Sequence, residues 1–318
     1  MKKQTASFLD AADIPVDSVF AANKIGYRDS TRGGQFLTLD LSDSTGTINA
    51  VLWTVPEPVK RDLRNGSVVR VKGRTSTYKN NVQVIIEHLQ ILAEGEYDQA
   101  DFLPLSKRPR KEMEQELRQY IGQIGHPGLG KFISGWLLDP EFLEKYLNAT
   151  AAKRIHHACV GGLAEHGLET LKIGLKMTEF YPEIDKDFVI AGCLIHDVGK
   201  MIDYICSTVI DMTDEGKLLG HIPNSLSMLT EQAMKAGVSG EKWISHLAHI
   251  VLSHHGSREM GSPVEPATME AMVVHVADLA SGRLGQMSQI LSGSGMDSEN
   301  WTEKDFNLGR PLYKGFRK

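Results

Sequence analysis

The chain has 318 residues, of which 41% are hydrophobic and 24% charged, and its formal net charge is −5. That length accommodates two domains, and the balance is that of an ordinary globular protein. The acidic surplus excludes nucleic-acid binding through bulk charge, so any such contact must come from a local patch.

The start, MKKQTASFLDAADIP, lacks the apolar stretch of a signal peptide. From there to about residue 95 the pattern is β-like. QFLTLDLSD alternates Phe36, Leu37, Leu39 and Leu41 with polar residues, and a Ser-Thr-Gly turn at 44–46 leads into a second strand, TINAVLW. PEPVKRDLRNG holds a short helix, and SVVRVKGRTSTYKNNVQVIIEHLQIL gives two or three more strands, with a turn at Lys79, Asn80 and Asn81. Five short strands in about 85 residues fit an OB-fold, a small all-β Greek-key barrel that often binds single-stranded nucleic acid. Residues 1–95 are assigned to it.

Single strands are held by aromatic stacking beside basic groups. Tyr78 and Lys79, near Arg70, Lys72 and Arg74, form a modest cluster of that kind. Phe36 and Trp53 are further stacking candidates, with a place in the barrel core as the favoured alternative.

Residues 96–112 are polar, contain Pro104 and Pro109, and read as an interdomain linker. Their basic cluster, Lys107, Arg108, Arg110 and Lys111, either follows a phosphate backbone or is simply solvated. From about residue 113 to 292 the periodicity is helical. In CVGGLAEHGLETLKIGLKMTEFY the residues Val160, Leu163, Leu168, Leu171 and Leu175 recur at helical spacing. DFVIAGCLIHDVGK, NSLSMLTEQAMKAG, EKWISHLAHIVLSHHG and ATMEAMVVHVADLASGRL complete an all-α bundle. No stretch reaches the roughly 18 apolar residues of a membrane span. Cys159, Cys193 and Cys206 sit in apolar surroundings without CxxC spacing, as reduced thiols of a cytoplasmic protein do. Residues 293–318 form a tail that ends in Tyr313, Lys314, Phe316, Arg317 and Lys318.

Metal-competent side chains are strung along the helical half: His166, His196 with Asp197, His221, His254 with His255, and Asp278. An isolated His in an apolar stretch is more often a hydrogen-bonded core residue than a ligand. His156, His157, His246, His249 and His275 fit that description. The doublet differs, because it ends the apolar run FVIAGCLI, where two polar groups are costly unless paired or bound to an ion. Imidazole and carboxylate together suit Mn, Fe, Co, Zn or Ni, and a carboxylate shared by two ions suits a two-metal site that clamps the attacking and leaving oxygens of a phosphoryl transfer. The site is therefore expected to serve a metal-dependent phosphodiesterase or phosphohydrolase.

The order and context of His166, His196-Asp197 and Asp278 resemble the HD-domain metal-dependent phosphohydrolases. The resemblance implies that these four residues converge on one metal from separate helices. It implies further that His221 and either His254 or His255 hold a second metal bridged by Asp197, with His254 favoured. His255 is then a catalytic contact to phosphate if it is not the ligand. Lys200, three residues past Asp197, is a candidate for steadying charge on a phosphate oxygen, or a solvated lysine at a helix end.

With HHACVGGLAEHGLE, LIHDVGK, LLGHI and VLSHHG behind an OB-fold, nearly the whole chain is similar to the YhaM family of 3′-to-5′ exoribonucleases. This implies an exonuclease, cytoplasmic and homo-oligomeric, that cuts single-stranded RNA, and often DNA, to nucleoside 5′-monophosphates. It implies two divalent ions per chain, manganese first, with Fe, Co, Zn, Ni and Mg as alternatives. One departure is Ser281, three positions after Asp278, where the family pattern has an acid. His157, before a Gly pair, is a candidate phosphate contact or a packing residue. The rival readings are a phosphohydrolase acting on a small nucleotide, against which the strand-binding barrel argues, and a non-catalytic single-strand-binding protein, against which the full ligand set argues.

Overall fold

A computed structural model describes residues 4–29, 33–79, 81–98, 101–153, 157–293 and 300–315. Asn80 of the expected turn, His156, and Phe316, Arg317 and Lys318 of the tail lie outside them. The chain divides into two compact units, one of Met1–Leu105 with Cys206–Ile210 and the other of Ser106–Ile205 with Asp211–Lys318.

The first unit is a closed barrel in the order β1-β2-β3-β5-β4. Its strands are β1 (Pro15–Asp29), β2 (Gln35–Asp43), β3 (Gly46–Leu52), β4 (Val68–Tyr78) and β5 (Asn81–Ile91), with α1 (Glu57–Asp62) between β3 and β4. All pairings are antiparallel except β3 with β5. Period-two alternation puts Leu37, Leu39 and Leu41 of β2 in the core with Phe20, Val69, Val71, Val84 and Ile86. The segment 67–92 yields two strands, and the fifth is β1, which the sequence pattern does not announce. Ala21 and Ala22 are both buried, so alternation fails there. The register then shifts between Asn23 and Gly26, with Lys24 at φ 45°. The bulge bends β1 so that its first half pairs with β4 and its second with β2, which closes the barrel. Gly73, beside a second irregularity in β4, has no room for a side chain: a Cβ there would lie 2.1 Å from the Ile85 carbonyl oxygen.

The polar stretch after β5 hides an anchor. Phe102 and Leu103 are buried, and Phe102 packs with Ala21 and Val68 and meets the Tyr97 ring edge-on at 5.5 Å. That part of the expected linker is thus packed on the barrel.

From Ser106 on the chain is mainly helical: α2 (Arg110–Ile121), α3 (Pro127–Leu137), α4 (Pro140–Asn148), α5 (Gly162–Thr178), α6 (Lys186–Ile195), α7 (Lys200–Asp203), then a short pair β6 (Tyr204–Cys206) and β7 (Ile210–Met212), α8 (Asp214–Leu218), α9 (His221–Lys235), α10 (Lys242–Ser253) and α11 (Met269–Gly293). Arg108 and Arg110 are spent on ion pairs with Glu116 and Glu144, which leaves less of the basic cluster for a phosphate backbone. Asp139 and Asp185 cap α4 and α6 by accepting backbone N–H groups of the first turn. Every residue of α6 from Phe188 to Ile195 is buried, with α5, α10 and α11 packed around it. No helix among the described residues is long and apolar enough to cross a membrane.

Candidate metal centre

Helix ends and buried helix faces place the donors. His166 lies in the second turn of α5 and Asp278 in the third turn of α11. His196 and Asp197 follow directly on the buried part of α6, His221 opens α9, and His254 and His255 follow the last turn of α10. His166, His196, Asp197 and Asp278 each bring a donor atom within 4.8 Å of the others, and so do His221, His254 and His255. His166 Nε2 is 3.1 Å from Asp278 Oδ1, 3.4 Å from Asp197 Oδ2 and 3.3 Å from His196 Nε2. Asp197 turns its other oxygen to the second group: Oδ1 is 3.4 Å from His221 Nε2 and 3.6 Å from His254 Nε2.

The donors fit a cation. Three of the rings are held by carbonyls, which can only accept: His196 Nδ1 donates to Cys193 O at 2.9 Å, His254 Nδ1 to Val251 O at 2.7 Å and His255 Nδ1 to Met260 O at 2.9 Å. The proton is thereby fixed on Nδ1, and in the neutral ring Nε2 carries a lone pair aimed inward. His221 Nε2 and His255 Nε2 face each other at 3.2 Å. Asp197 Oδ1 and His254 Nε2 are buried with no hydrogen-bond partner, a costly arrangement that a bound cation relieves. Ser281 Oγ lies 3.1 Å from His166 Nδ1, so a hydroxyl orients this ring.

Charge is arranged to match. Burial alone would raise the Asp197 carboxyl, but Lys200, His196 and His166 hold it well below the ordinary carboxylate range. Asp278 is likewise lowered against its burial, chiefly by the His166 hydrogen bond. Burial, with Lys200 nearby, keeps His221 well below the usual imidazole range, and burial beside His254 lowers His255. Both rings therefore offer lone pairs at neutral pH. His166 goes the other way: burial would lower it, but Asp197 and Asp278 raise it, so a proton and a cation compete for this nitrogen.

Two of the candidate residues have defined partners. Lys200 is not solvated, and its ammonium sits 2.6 Å from Asp197 Oδ2. It neutralises the carboxylate that faces both groups. His157 adopts φ 61°, with Nδ1 3.3 Å from Glu165 and Nε2 3.0 Å from Glu169. With both nitrogens turned to carboxylates, the ring is held beside His166, its centroid 5.6 Å away.

Gly199, inside HDVGK, is a further residue on which the site depends. A Cβ here would lie 2.2 Å from His221 O and 2.5 Å from Ser225 N, and the Gly199 N–H donates to Ser225 Oγ at 2.8 Å. The missing side chain lets α9 dock directly on the doublet. Gly199→Ala is expected to destabilise the fold by about 3 kcal/mol and to weaken metal retention, because backbone cannot yield as a side chain can. Thermal melts and elemental analysis check this; a variant like wild type in both would refute the packing argument.

On the barrel, Phe36 and Trp53 are not core residues. Trp53 is 56% exposed, Phe36 is half-buried, and their rings stand 5.0 Å apart. Register places Arg28 opposite Phe36, so a cation that the sequence reading missed flanks the pair. Only strand pairing could reveal it. Tyr78 is 59% exposed, with Lys79 Nζ 5.4 Å from its ring centre. Arg74 shares a face of β4 with Tyr78 and lies 3.8 Å from Glu87.

Residues 23–92 match the OB-fold nucleic acid binding domain family and residues 163–281 the HD domain family. A 3′-5′ exoribonuclease YhaM from Geobacillus sp. (strain WCH70) is 33% identical over 287 residues, which is 90% of this chain and 87% of that protein. Among solved structures, a domain of replication protein A from Methanococcus maripaludis is 19% identical over 28% of this chain and 93% of its own, with a TM-score of 0.25. The single-stranded DNA binding protein from Thermus aquaticus is 16% identical over 30% of this chain and 46% of its own, with a TM-score of 0.24. Those two likenesses are too slight to bear on function.

Proposed function

Because the chain belongs to the YhaM family of 3′-5′ exoribonucleases, we propose that it captures single-stranded RNA on its barrel and hydrolyses it from the 3′ end at the His-Asp centre. Nucleoside 5′-monophosphates are the product of this reading, with DNA as a second substrate. The observation that carries it is the Asp197 carboxylate, whose two oxygens face two separate groups of imidazole and carboxylate donors. His166, His196, Asp197 and Asp278 would hold one divalent ion, and Asp197, His221, His254 and His255 a second. Bound ions supply Lewis-acid charge to the scissile phosphate and a lowered pKa to attacking water. The mixture of imidazole and carboxylate suits manganese.

The chain's own residues do the rest. Lys200 keeps Asp197 ionised, and Cys193, Val251, Met260 and Ser281 fix the ring orientations that aim the Nε2 atoms inward. Arg28, Phe36 and Trp53 offer a cation and two rings along neighbouring strands, and Arg74, Tyr78 and Lys79 a second such group on β4 and its turn. The same family reading extends to a cytoplasmic homo-oligomer.

A 5′- or 3′-labelled oligoribonucleotide incubated with Mn, Mg, Zn or EDTA tests the activity. A descending ladder from the 5′ label, a labelled mononucleotide from the 3′ label, and no cleavage in EDTA are expected. Cleavage that survives EDTA, or internal cuts, would overturn the reading. Trp53→Ala is expected to weaken strand binding about tenfold, since stacking on one ring contributes roughly 1–3 kcal/mol per base. Fluorescence anisotropy reads this, and equal affinity would remove Trp53 from the interface.

A further inference from the structure

The segment after α11 is a built loop, and neither the metal centre nor the barrel accounts for it. Thr302 and Leu312 are buried at its base. Thr302 N donates to Leu312 O at 2.9 Å, Leu312 N donates to Thr302 Oγ1 at 2.9 Å, and Lys314 N donates to Asn300 O at 2.8 Å. Inside the loop, Asp305 accepts from Leu308 N at 2.8 Å and from Gln286 of α11 at 3.1 Å. The fold is thus specified, and what it presents outward is unusual for a surface.

Trp301 and Tyr313 face each other across the neck as an isolated bridge, their rings 5.1 Å apart, and are 55% and 43% exposed. Phe306, near the tip, is 95% exposed. Along the sequence Lys304 and Arg310 alternate with these rings, and Lys314 follows Tyr313. Acids outnumber bases 40 to 35 over the whole chain, yet residues 300–315 hold three bases against two acids. One of those acids, Asp305, is engaged by the loop's own hydrogen bonds. The loop therefore carries the opposite sign to the molecule.

We infer that this C-terminal loop is a second binding element for single-stranded nucleic acid, with Trp301, Phe306 and Tyr313 stacking on bases and Lys304, Arg310 and Lys314 following the phosphates. The inference rests on the reading of the chain as a strand-degrading enzyme. Aromatic faces interleaved with cations are what a sequence-tolerant strand site requires, because every base has a face and every link a charge. A contact between copies of the chain would use the same aromatics and Arg310, but interface centres are depleted of lysine, so Lys304 and Lys314 favour a polyanion over a second copy. Such a loop would explain how an acidic protein retains a long strand outside its barrel.

The test is anisotropy of a fluorescein-labelled oligoribonucleotide on the full-length protein in EDTA, so that the strand stays intact. The Trp301→Ala, Tyr313→Ala double variant and Phe306→Ala alone are each expected to bind about tenfold more weakly. Replacing Lys304, Arg310 and Lys314 with Gln should lower the slope of log affinity against log salt by about 2, at roughly 0.7 per phosphate contact on a single strand. Phe306 packs on almost nothing, so its replacement cannot act through unfolding, and thermal melts check the others. Wild-type binding with all variants equal to it overturns the loop assignment alone. A wild type that neither binds nor cuts strands overturns the underlying reading and the loop with it. Variants whose mass by light scattering falls while strand affinity per chain is unchanged would make the loop a contact between copies, and the inference would be wrong.

Discussion

Replacing Asp197 with Asn is expected to lower hydrolysis by about a thousandfold or more while leaving strand binding almost unchanged. Asp197 Oδ2 sits among His166, His196 and Lys200, and Oδ1 faces His221 and His254 from a position with no hydrogen-bond partner. An amide keeps the shape but loses the charge and turns an NH₂ toward one set of lone pairs, so neither group retains its shared anion. The variant also leaves the Lys200 ammonium without its counter-charge in a site that excludes most solvent, which destabilises the fold by about 3 kcal/mol. A double variant, Asp197→Asn with Lys200→Met, restores the charge balance. It should recover melting temperature and stay inactive, which separates lost chemistry from lost folding. Anisotropy measures the strand affinity of both. More than a tenth of wild-type activity in a folded variant would remove Asp197 from the bridging position.

The helical half announces its site more openly than the barrel does. A His-Asp doublet closing one apolar run and an Asp inside another are costly unless paired or bound to an ion, so LIHDVGK and HVADLA point to a buried centre. What those residues contact depends on which helices cross, and a sequence cannot give that. Lys200 read as a candidate phosphate ligand because its spacing was visible and its 2.6 Å contact to Asp197 was not. Gly199 was silent for the same reason: its function is to be absent where α9 arrives. In the barrel, β2 and β3 were readable from alternation, while β1 was obscured by the bulge that closes the sheet. Phe36 and Trp53 looked like core because aromatic residues at strand positions usually are. Their exposure reflects the register, which places Arg28, Phe36 and Trp53 side by side at one end of three strands.

His221→Ala and His254→Ala are each expected to lower the metal content from two ions toward one per chain, with a large loss of rate. Four donors, from His166, His196, Asp197 and Asp278, are untouched by either change, so one ion should remain. The second group keeps two imidazoles and the Asp197 Oδ1 atom, one donor fewer than before, so its ion is held more weakly and is lost when free metal is removed. The two variants differ in their side effects. His221 begins α9 and is partly exposed, so its removal costs little packing. His254 is fully buried and donates to Val251 O, so its truncation leaves a cavity, and His254→Gln serves as the volume-keeping control. Elemental analysis of wild type and variants after saturation with manganese and removal of free ion gives the count. One ion per wild-type chain, unchanged in every variant, would defeat the two-ion reading and move His221 and His254 to contacts with substrate phosphate. Two ions in wild type and one in each variant would place the second ion between Asp197 and α9, where Gly199 lets the helix approach.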